Sequence, residues 1–304
     1  MQREGFFNMR VTVKSSVRRS GSLLMGLGMV LALLFLAAAD GQAAGGGISE
    51  IRIKYVPYNP GTDQSGTGWN WTASTKTLTI SGAVDGRINF TGEDEIKIRV
   101  DGNGSTNSIG YSDGSLDISG SGTLTINGTM AGISAKNLVI NSATIDVGAS
   151  NEWERAIYVQ ENVDIKGGTL ILRETSNGGV GIFALNGNIN IGGSANVRTA
   201  SPTYSIALCS NKGQITVADE AVVEVASENH SAIYSKNINI SGGTVTARSS
   251  SSNGAVSAEN LNISGGSLTT GDTDASPVNG HVNANLTVSG AGSTVTLNGN
   301  LGSH

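Results

Sequence analysis

The chain has 304 residues, of which 43 are glycine, and charged residues make up only 14%. Both values depart about twofold from those of an average soluble protein. Aromatic residues make up 5%, and the apolar residues are mostly Ile, Val, Leu and Ala, which favours strands and excludes a helical bundle or a coiled coil. The formal charge of −5, without a basic stripe, excludes a nucleic-acid binder, because phosphate contacts need clustered lysine and arginine.

Residues 1–44 have the three parts of a secretory signal peptide. Five basic residues between Arg3 and Arg19 precede an apolar run from Leu23 to Ala39, and small residues follow. The alternative, an anchor that stays in the membrane, needs a slightly longer apolar run. We therefore expect cleavage, a secreted or cell-surface protein, and no membrane contact after cleavage. Cleavage removes five basic and two acidic residues and lowers the formal charge from −5 to −8.

Residues 45–68 lie between the signal peptide and the repeats, and Ile51 to Val56 are expected to lay a capping strand over the open end of the repeat domain, residues 69–304. The single cysteine, Cys209, has no partner for an internal disulfide. We expect it to be a small apolar strand residue instead of a reactive thiol.

The sequence repeats at intervals of 23 to 27 residues, and each repeat holds three short segments in which aliphatic and polar residues alternate. Such alternation is typical of strands, and a period of this length is typical of solenoids. The first segments contain Ile109, Ile133, Ile157, Ile182, Ile206, Ile233, Val256 and Val282. The second contain Leu116, Leu138, Val163, Ile189, Ile215, Ile238, Leu261 and Leu286. The third contain Leu124, Ile145, Leu170, Val197, Val223, Val245, Leu268 and Val295.

Three strands per repeat, stacked on the next repeat, build a parallel β-helix whose interior is filled by these aliphatic columns. The sequence predicts an all-β, single-stranded parallel β-helix of about nine turns with three short strands each, eight from Ile109 to Leu297 and one from Leu78 to Val100. A sandwich of hairpins is disfavoured, since two-residue turn signals would then recur every ~8–12 residues without three registered columns.

The turns carry two further regularities. Ser-Gly-Gly at 241–243 and 264–266 is expected to supply left-handed corners. An asparagine or a polar equivalent immediately precedes the second strand of each repeat, and we expect these side chains to form a hydrogen-bonded ladder. The residues of this column are Ser115, Asn137, Asn162, Asn188, Gln214, Asn237, Asn260 and Asn285.

The repeat unit Asn237-Ile238-Asn239-Ile240-Ser241-Gly242-Gly243-Thr244-Val245-Thr246-Ala247 and the start Gly68-Trp69-Asn70-Trp71-Thr72 resemble a bacterial family. They are similar to the right-handed β-helix repeats of secreted carbohydrate-binding-domain proteins, over about residues 69–297. The resemblance implies a polysaccharide or glycan partner. In one branch of that family, calcium-assisted binding of acidic polysaccharide goes with an Asp-Asp pair before the second strand. Here the corresponding place holds Lys136-Asn137 or Glu259-Asn260, so calcium stays an open cofactor without assigned residues.

The outward position after each first-column residue supplies candidate binding residues, because aromatic faces projecting from a sheet can stack on sugar rings. Tyr158 and Phe183 lie one turn apart, and Tyr234 lies two turns further. The alternative is a short aromatic stack that only stiffens the sheet. The whole column is expected to be Gly110, Ser134, Tyr158, Phe183, Ala207, Tyr234, Ser257 and Asn283.

The three tryptophans are further candidates for sugar contact. Trp69 and Trp71 share one face at the first turn, with a cap over the core as the alternative role. Trp153 lies in a loop beside Tyr158 and is expected to be exposed.

Catalysis and other functions have weaker support. Acidic clusters occur at 93–95, 219–220 and 272–274, but none is expected beside a base in adjacent turns, so a polysaccharide lyase or hydrolase is a second alternative. The three histidines lack zinc-ligand spacing. Threonine pairs suggest an ice-binding face, but Ile171, Arg198 and Glu224 interrupt that column.

A non-catalytic stalk or adhesin of the bacterial surface is the main alternative to carbohydrate binding, since it needs only the solenoid. The last turn ends close to Leu297, and its open strand edges are expected to permit end-to-end self-association.

Overall fold

The structure is a computed structural model, and it describes residues 11–13, 47–149, 154–173, 178–200, 204–271, 281–298 and 301–302. Apart from one 3-10 turn, Ala73–Thr75, the regular structure of these residues is all strand. The first six strands are β1 (Val11–Val13), β2 (Ile48–Ile53), β3 (Val56–Tyr58), β4 (Gln64–Gly66), β5 (Trp69–Thr72) and β6 (Thr77–Ile80). The next fourteen are β7 (Arg87–Gly92), β8 (Glu95–Val100), β9 (Asn103–Thr106), β10 (Ser108–Gly120), β11 (Thr123–Gly128), β12 (Ile133–Ile140), β13 (Thr144–Ala149), β14 (Arg155–Val159), β15 (Val163–Ile165), β16 (Thr169–Leu172), β17 (Val180–Ala184), β18 (Ile189–Ile191), β19 (Asn196–Thr199) and β20 (Ile206–Val217). The last eight are β21 (Val222–Ser227), β22 (Ile233–Ile240), β23 (Thr244–Ser249), β24 (Val256–Ile263), β25 (Ser267–Thr270), β26 (Val282–Val288), β27 (Thr294–Leu297) and β28 (Leu301–Gly302).

From β7 onward the chain winds through about nine turns, and each strand pairs in parallel with its equivalents in the turns before and after. The third strands of successive turns form one sheet, ordered β9, β11, β13, β16, β19, β21, β23, β25 and β27. The first and second strands of a turn often form one bent strand, and the register shifts at the bend of β10 and β20. The expected parallel β-helix is confirmed.

Aliphatic side chains from three directions fill the interior. The second and third predicted columns are confirmed residue by residue, as in the pairs Leu138 with Val163 and Val197 with Val223. Ile133, Ile157 and Ile182 are vertical neighbours with at most 2% of their surface exposed. Full burial of each such side chain contributes about 1.5–3 kcal/mol, so the stacked columns are the main source of stability.

One residue of the first column differs from the prediction. Leu208, and not Ile206, pairs with Ile182 and then with Ile233. Ile206 pairs with Val180 and is only half-buried. The two residues have the same parity along the strand, so alternation alone does not distinguish them; the strand pairing does.

Glycine permits the sharp corners before the third strand. Gly243 and Gly266 have φ values of 71° and 69°, in the left-handed region that disfavours residues with a side chain. A Cβ atom would also lie 2.3 Å from a backbone oxygen of the preceding turn at Gly243 and 2.4 Å from one at Gly266. The expectation of left-handed corners at the Ser-Gly-Gly sequences is confirmed.

Antiparallel strands cover the N-terminal end of the stack. β2 pairs with both β3 and β7, and β5 joins β4 and β6. β6 is antiparallel to β5 but parallel to β8, so it joins this antiparallel segment to the stacked turns, of which the first complete one begins at Arg87.

At the other end, β1 pairs in parallel with β27, so that Val11, Thr12 and Val13 lie beside Val295, Thr296 and Leu297. In the described part of the chain, no helix is long and apolar enough to cross a membrane.

Candidate functional site

An aromatic pair lies on the outer face of the first strands. Tyr158 in β14 and Phe183 in β17 are registered neighbours. Their rings are nearly parallel, with an interplanar angle of 9° and centroids 6.1 Å apart. Both side chains are half-buried. The two residues are therefore neighbours in adjacent turns, as the sequence predicted.

Arg155 lies over this pair. Its guanidinium carbon is 4.5 Å from the centroid of Phe183 and 5.3 Å from that of Tyr158. The buried Nε of Arg155 has no hydrogen-bond partner among the described residues. A guanidinium over aromatic faces gains cation–π attraction, and its terminal N–H groups remain available as donors. Arg155, Tyr158 and Phe183 therefore form a composite surface with apolar edges and cationic donors.

The sequence analysis did not identify Arg155 as part of this surface. It has the same parity as Ile157, so alternation places it on the interior face. Arg155 is, however, the first residue of β14, and both it and its registered neighbour Val180 are only half-buried, so alternation does not hold at this end of the strand. The one signal in the sequence that could have identified Arg155 is its position three residues before the outward-facing Tyr158.

Cys209, and not Ala207, continues the aromatic column, because the register of β20 places it between Phe183 and Tyr234. The prediction for Ala207 is corrected for the same reason as that for Ile206. Cys209 is only 5% exposed. Burial raises the pKa of its thiol to about 12, an effect that the charge of Arg155 partly opposes. The thiol is therefore neutral at physiological pH and fills an apolar position, as expected for this cysteine.

Tyr234 ends the aromatic column and contacts His230. The two ring centroids are 5.9 Å apart at an interplanar angle of 81°. Burial lowers the pKa of His230, so the imidazole is neutral at physiological pH. The carbonyl of His230 accepts hydrogen bonds from Ser227 and Ser249 at 2.5 and 2.6 Å, which fix the loop that holds the imidazole against Tyr234.

We define the aromatic column as Tyr158, Phe183, Cys209 and Tyr234 in successive turns, with Arg155 over its first two members. It is continued by Ser134 on one side and by Ser257 on the other. The column therefore places three aromatic rings on a sheet face whose neighbouring positions are small or polar.

A comparison with known protein families indicates a role in carbohydrate binding. Residues 73–276 match the family described as carbohydrate-binding domain-containing protein. The match covers about two thirds of the chain and includes the whole aromatic column. The chain belongs to this family. No curated protein and no solved structure matches it significantly.

Two of the predicted contact residues of this carbohydrate-binding domain are inside the cap. Trp69 is 6% exposed and Trp71 is 1% exposed. Trp71 donates its indole N–H to the carbonyl of Pro60 at 3.0 Å, and Tyr58 packs edge-on against Trp69 with centroids 5.0 Å apart. Their prediction as sugar contacts is corrected, because burial leaves no ring face for a ligand; they cover the core instead.

Trp153 and the acidic cluster at 272–274 lie outside the described residues. At the cluster 93–95, Asp94 pairs with Lys76 at 2.5 Å. At 219–220, the carboxylate of Asp219 accepts the backbone N–H of Gly193 at 2.7 Å. Among the described residues, no group of three or more His, Cys, Asp or Glu side chains has the spacing of a metal site. These carboxylates of the carbohydrate-binding domain stabilise corners and the cap.

The predicted asparagine ladder is present before the second strands. The backbone N–H of Asn162 is 3.1 Å from the side-chain oxygen of Asn137, and that of Asn188 is 2.9 Å from the side-chain oxygen of Asn162. Asn260 donates its amide to Asn237 at 2.9 Å. The ladder uses the oxygens of these side chains inside the domain, so it is structural.

Proposed function

We propose that the protein is a secreted or cell-surface carbohydrate-binding protein that binds a polysaccharide along the aromatic column without cleaving it. Family membership supports the carbohydrate-binding role. The observation that supports this particular face is the parallel, half-buried ring pair of Tyr158 and Phe183 with the guanidinium of Arg155 over it.

The geometry suits a chain ligand. Successive turns are about 4.8 Å apart, close to the spacing of successive sugars, and the aromatic column covers four turns. The apolar edges of the rings contact the C–H face of a sugar, while hydroxyls receive hydrogen bonds from Arg155. Tyr234 supplies a second aromatic contact further along the same chain.

The proposal is tested by replacing Tyr158, Phe183 and Tyr234 together with alanine and measuring retention in a glycan array and in affinity electrophoresis, with and without calcium. We expect at least a tenfold loss of affinity, since contacts worth about 1 kcal/mol each are removed, with unchanged far-UV circular dichroism. The matched control is Tyr55→Ala, which removes a tyrosine that is 77% exposed on the cap.

Two outcomes contradict the proposal. If the wild type is retained on no glycan, the stalk or adhesin alternative replaces it. If the triple variant is retained as well as the wild type, another face binds. Release of shortened or unsaturated sugar from a bound polysaccharide would instead support the lyase or hydrolase alternative.

Secretion is part of the same proposal and rests on the sequence of residues 1–44. Expression with the natural leader and mass measurement of the exported protein test it. We expect a mature N-terminus near residue 45. An exported or cell-associated protein that retains Met1 contradicts cleavage.

Removal of residues 1–44 also takes β1 away from β27 and leaves that strand edge open. We propose that the cleaved protein self-associates through this end. Light scattering after size exclusion tests this, with Thr296→Lys as the variant, because a charge on an edge strand disfavours pairing. A cleaved wild type that is monomeric at all concentrations contradicts the proposal.

A further inference from the structure

A groove lies on a different face, across the third strands β19, β21 and β23. Its volume is about 490 Å³. Arg198, Glu224 and Thr246 are registered neighbours in these three strands, and Arg248 is the partner of Ala226. The small side chains of Ala200 and Ala226 lie between the longer ones and leave the depression. We call these residues the arginine groove.

The two arginines of the groove differ from the other described arginines in their contacts. In the described part of the chain, neither Arg198 nor Arg248 makes an ion pair, a hydrogen bond or a ring contact, and the other described arginines all have one. Arg198 and Glu224 are direct cross-strand neighbours of opposite charge, a placement that usually produces an ion pair, yet no nitrogen–oxygen distance between them is within 4.0 Å. The other described arginines and their partners are Arg52 with Glu50, Arg87 with Thr129, Arg99 with Asp101, Arg155 with Phe183 and Arg173 with Asp146.

The groove also offers acceptors. Glu224 and Glu228 are exposed carboxylates in its lining, and Thr246 is half-buried in its wall. The hydroxyls of Ser227, Ser249 and Ser250 donate to backbone carbonyls, so they shape the wall. Two cations and two carboxylates leave the lining without net charge.

This pattern selects a ligand with acid groups and hydroxyls in alternation. A guanidinium matches a planar carboxylate with two parallel hydrogen bonds and also binds sulfate oxygens, whereas the carboxylate of Glu224 accepts hydrogen bonds from sugar hydroxyls. Arg198 and Arg248 are two turns apart, about 10 Å along the axis, which is more than the length of one sugar. We propose that the arginine groove is a second glycan site and binds a sugar chain bearing acid groups, carboxylate or sulfate, directly through Arg198 and Arg248.

The proposal does not depend on the aromatic column. Because guanidinium groups bind the acid directly, the groove needs no calcium, in contrast to the calcium-assisted mode of one branch of the family that the sequence resembles. Binding should also weaken as ionic strength rises, since the contact is between charges at the surface.

The test is isothermal titration of the full chain with an oligogalacturonate, its methyl ester and a sulfated galactan oligosaccharide, all in EDTA. We expect binding of at least one of the two acidic ligands, and the ligand that binds identifies the acid group as carboxylate or sulfate. Arg198→Gln and Arg248→Gln should each weaken it roughly tenfold, as expected for one charged hydrogen bond. The matched control is Arg99→Gln, an exposed arginine that pairs with Asp101 at 2.6 Å.

The proposal is overturned if neither acidic ligand binds in EDTA, if the methyl ester binds as tightly as the free acid, or if the double variant Arg198→Gln/Arg248→Gln binds as the wild type does. The triple alanine variant of the aromatic column separates the two sites. In that variant, retained acidic binding with lost neutral binding supports two separate sites, whereas loss of acidic binding places the acidic ligand on the aromatic column and overturns the groove proposal. Thermal unfolding of every variant confirms that it is folded.

Discussion

The side-chain oxygen of Asn162 accepts the backbone N–H of Asn188 at 2.9 Å, and the side-chain oxygen of Asn188 accepts that of Gln214 at 3.0 Å. These backbone donors lie at the corner where the first strand ends and the second begins. Without the amide oxygens these partly buried donors would be unpaired where the chain turns. The ladder therefore adds side-chain links between neighbouring turns at this corner.

Asn162→Ala should destabilise the protein by about 1–3 kcal/mol, because it leaves a partly buried N–H without an acceptor. Chemical denaturation measures the difference. Asn262→Ala is the control, since Asn262 is an exposed outward residue and its replacement should change the stability by less than about 0.5 kcal/mol. Equal effects of the two variants would contradict a structural role for the ladder.

The observed register of β20 leads to a second prediction about stability. Leu208 is fully buried whereas Ile206 is half-buried. Leu208→Ala should therefore cost about 2–5 kcal/mol, and Ile206→Ala should cost clearly less. The free energy of unfolding from urea titration decides between them. A larger loss for Ile206→Ala would restore the originally expected register and with it Ala207 in the outer column.

Cys209 should resist thiol reagents in the folded protein. Its pKa is raised from 9.0 to about 12 by burial, so the nucleophilic thiolate is scarce at pH 8. Labelling with a colorimetric disulfide reagent should require unfolding. Rapid labelling under native conditions, at the rate of a free thiol, would contradict this placement.

The same rise in the pKa of Cys209 makes the stability of the protein depend on pH in the alkaline range. Above pH 9 the unfolded chain loses the thiol proton while the folded chain keeps it up to about pH 12, so the free energy of unfolding falls over that range. Cys209→Ala should remove this contribution. Thermal unfolding of wild type and variant between pH 8 and pH 11 measures it, and parallel curves would show that Cys209 does not contribute.

His230 should contribute the opposite dependence at acidic pH. Because burial lowers its pKa below the ordinary value of 6.5, the unfolded chain binds a proton at a pH where the folded chain does not. Stability therefore falls as the pH drops below 6.5. His230→Gln replaces the imidazole with a neutral side chain of similar size. The denaturation midpoint of this variant should change less with pH between pH 7 and pH 5 than that of the wild type. An unchanged slope would contradict the burial of the imidazole.

The sequence predicted the asparagine column that includes Asn237 and Asn260. It also predicted the interior aliphatic column that includes Leu138 and Val163. Such residues recur once per turn, and each recurrence meets the same environment, so periodicity and alternation specify them. Tyr158 and Phe183 were also identified this way, since one interval separates them and both follow a column residue.

Other features of the site depended on strand register or on packing beyond one turn. A shift of two residues preserves parity, so only the paired strands revealed that Cys209 and not Ala207 lies between Phe183 and Tyr234. The guanidinium of Arg155 lies over rings in its own turn and the next, at a strand end where alternation does not hold.

The sequence by itself determined the parallel β-helix, its three aliphatic columns and the asparagine ladder, because each is a local pattern repeated along the chain. Only the tertiary structure decided that Trp69 and Trp71 lie under the cap and that Arg198 and Arg248 share a groove in which no described residue pairs with them. Those relationships depend on distances between segments that are far apart in the chain, and no repeat period encodes them.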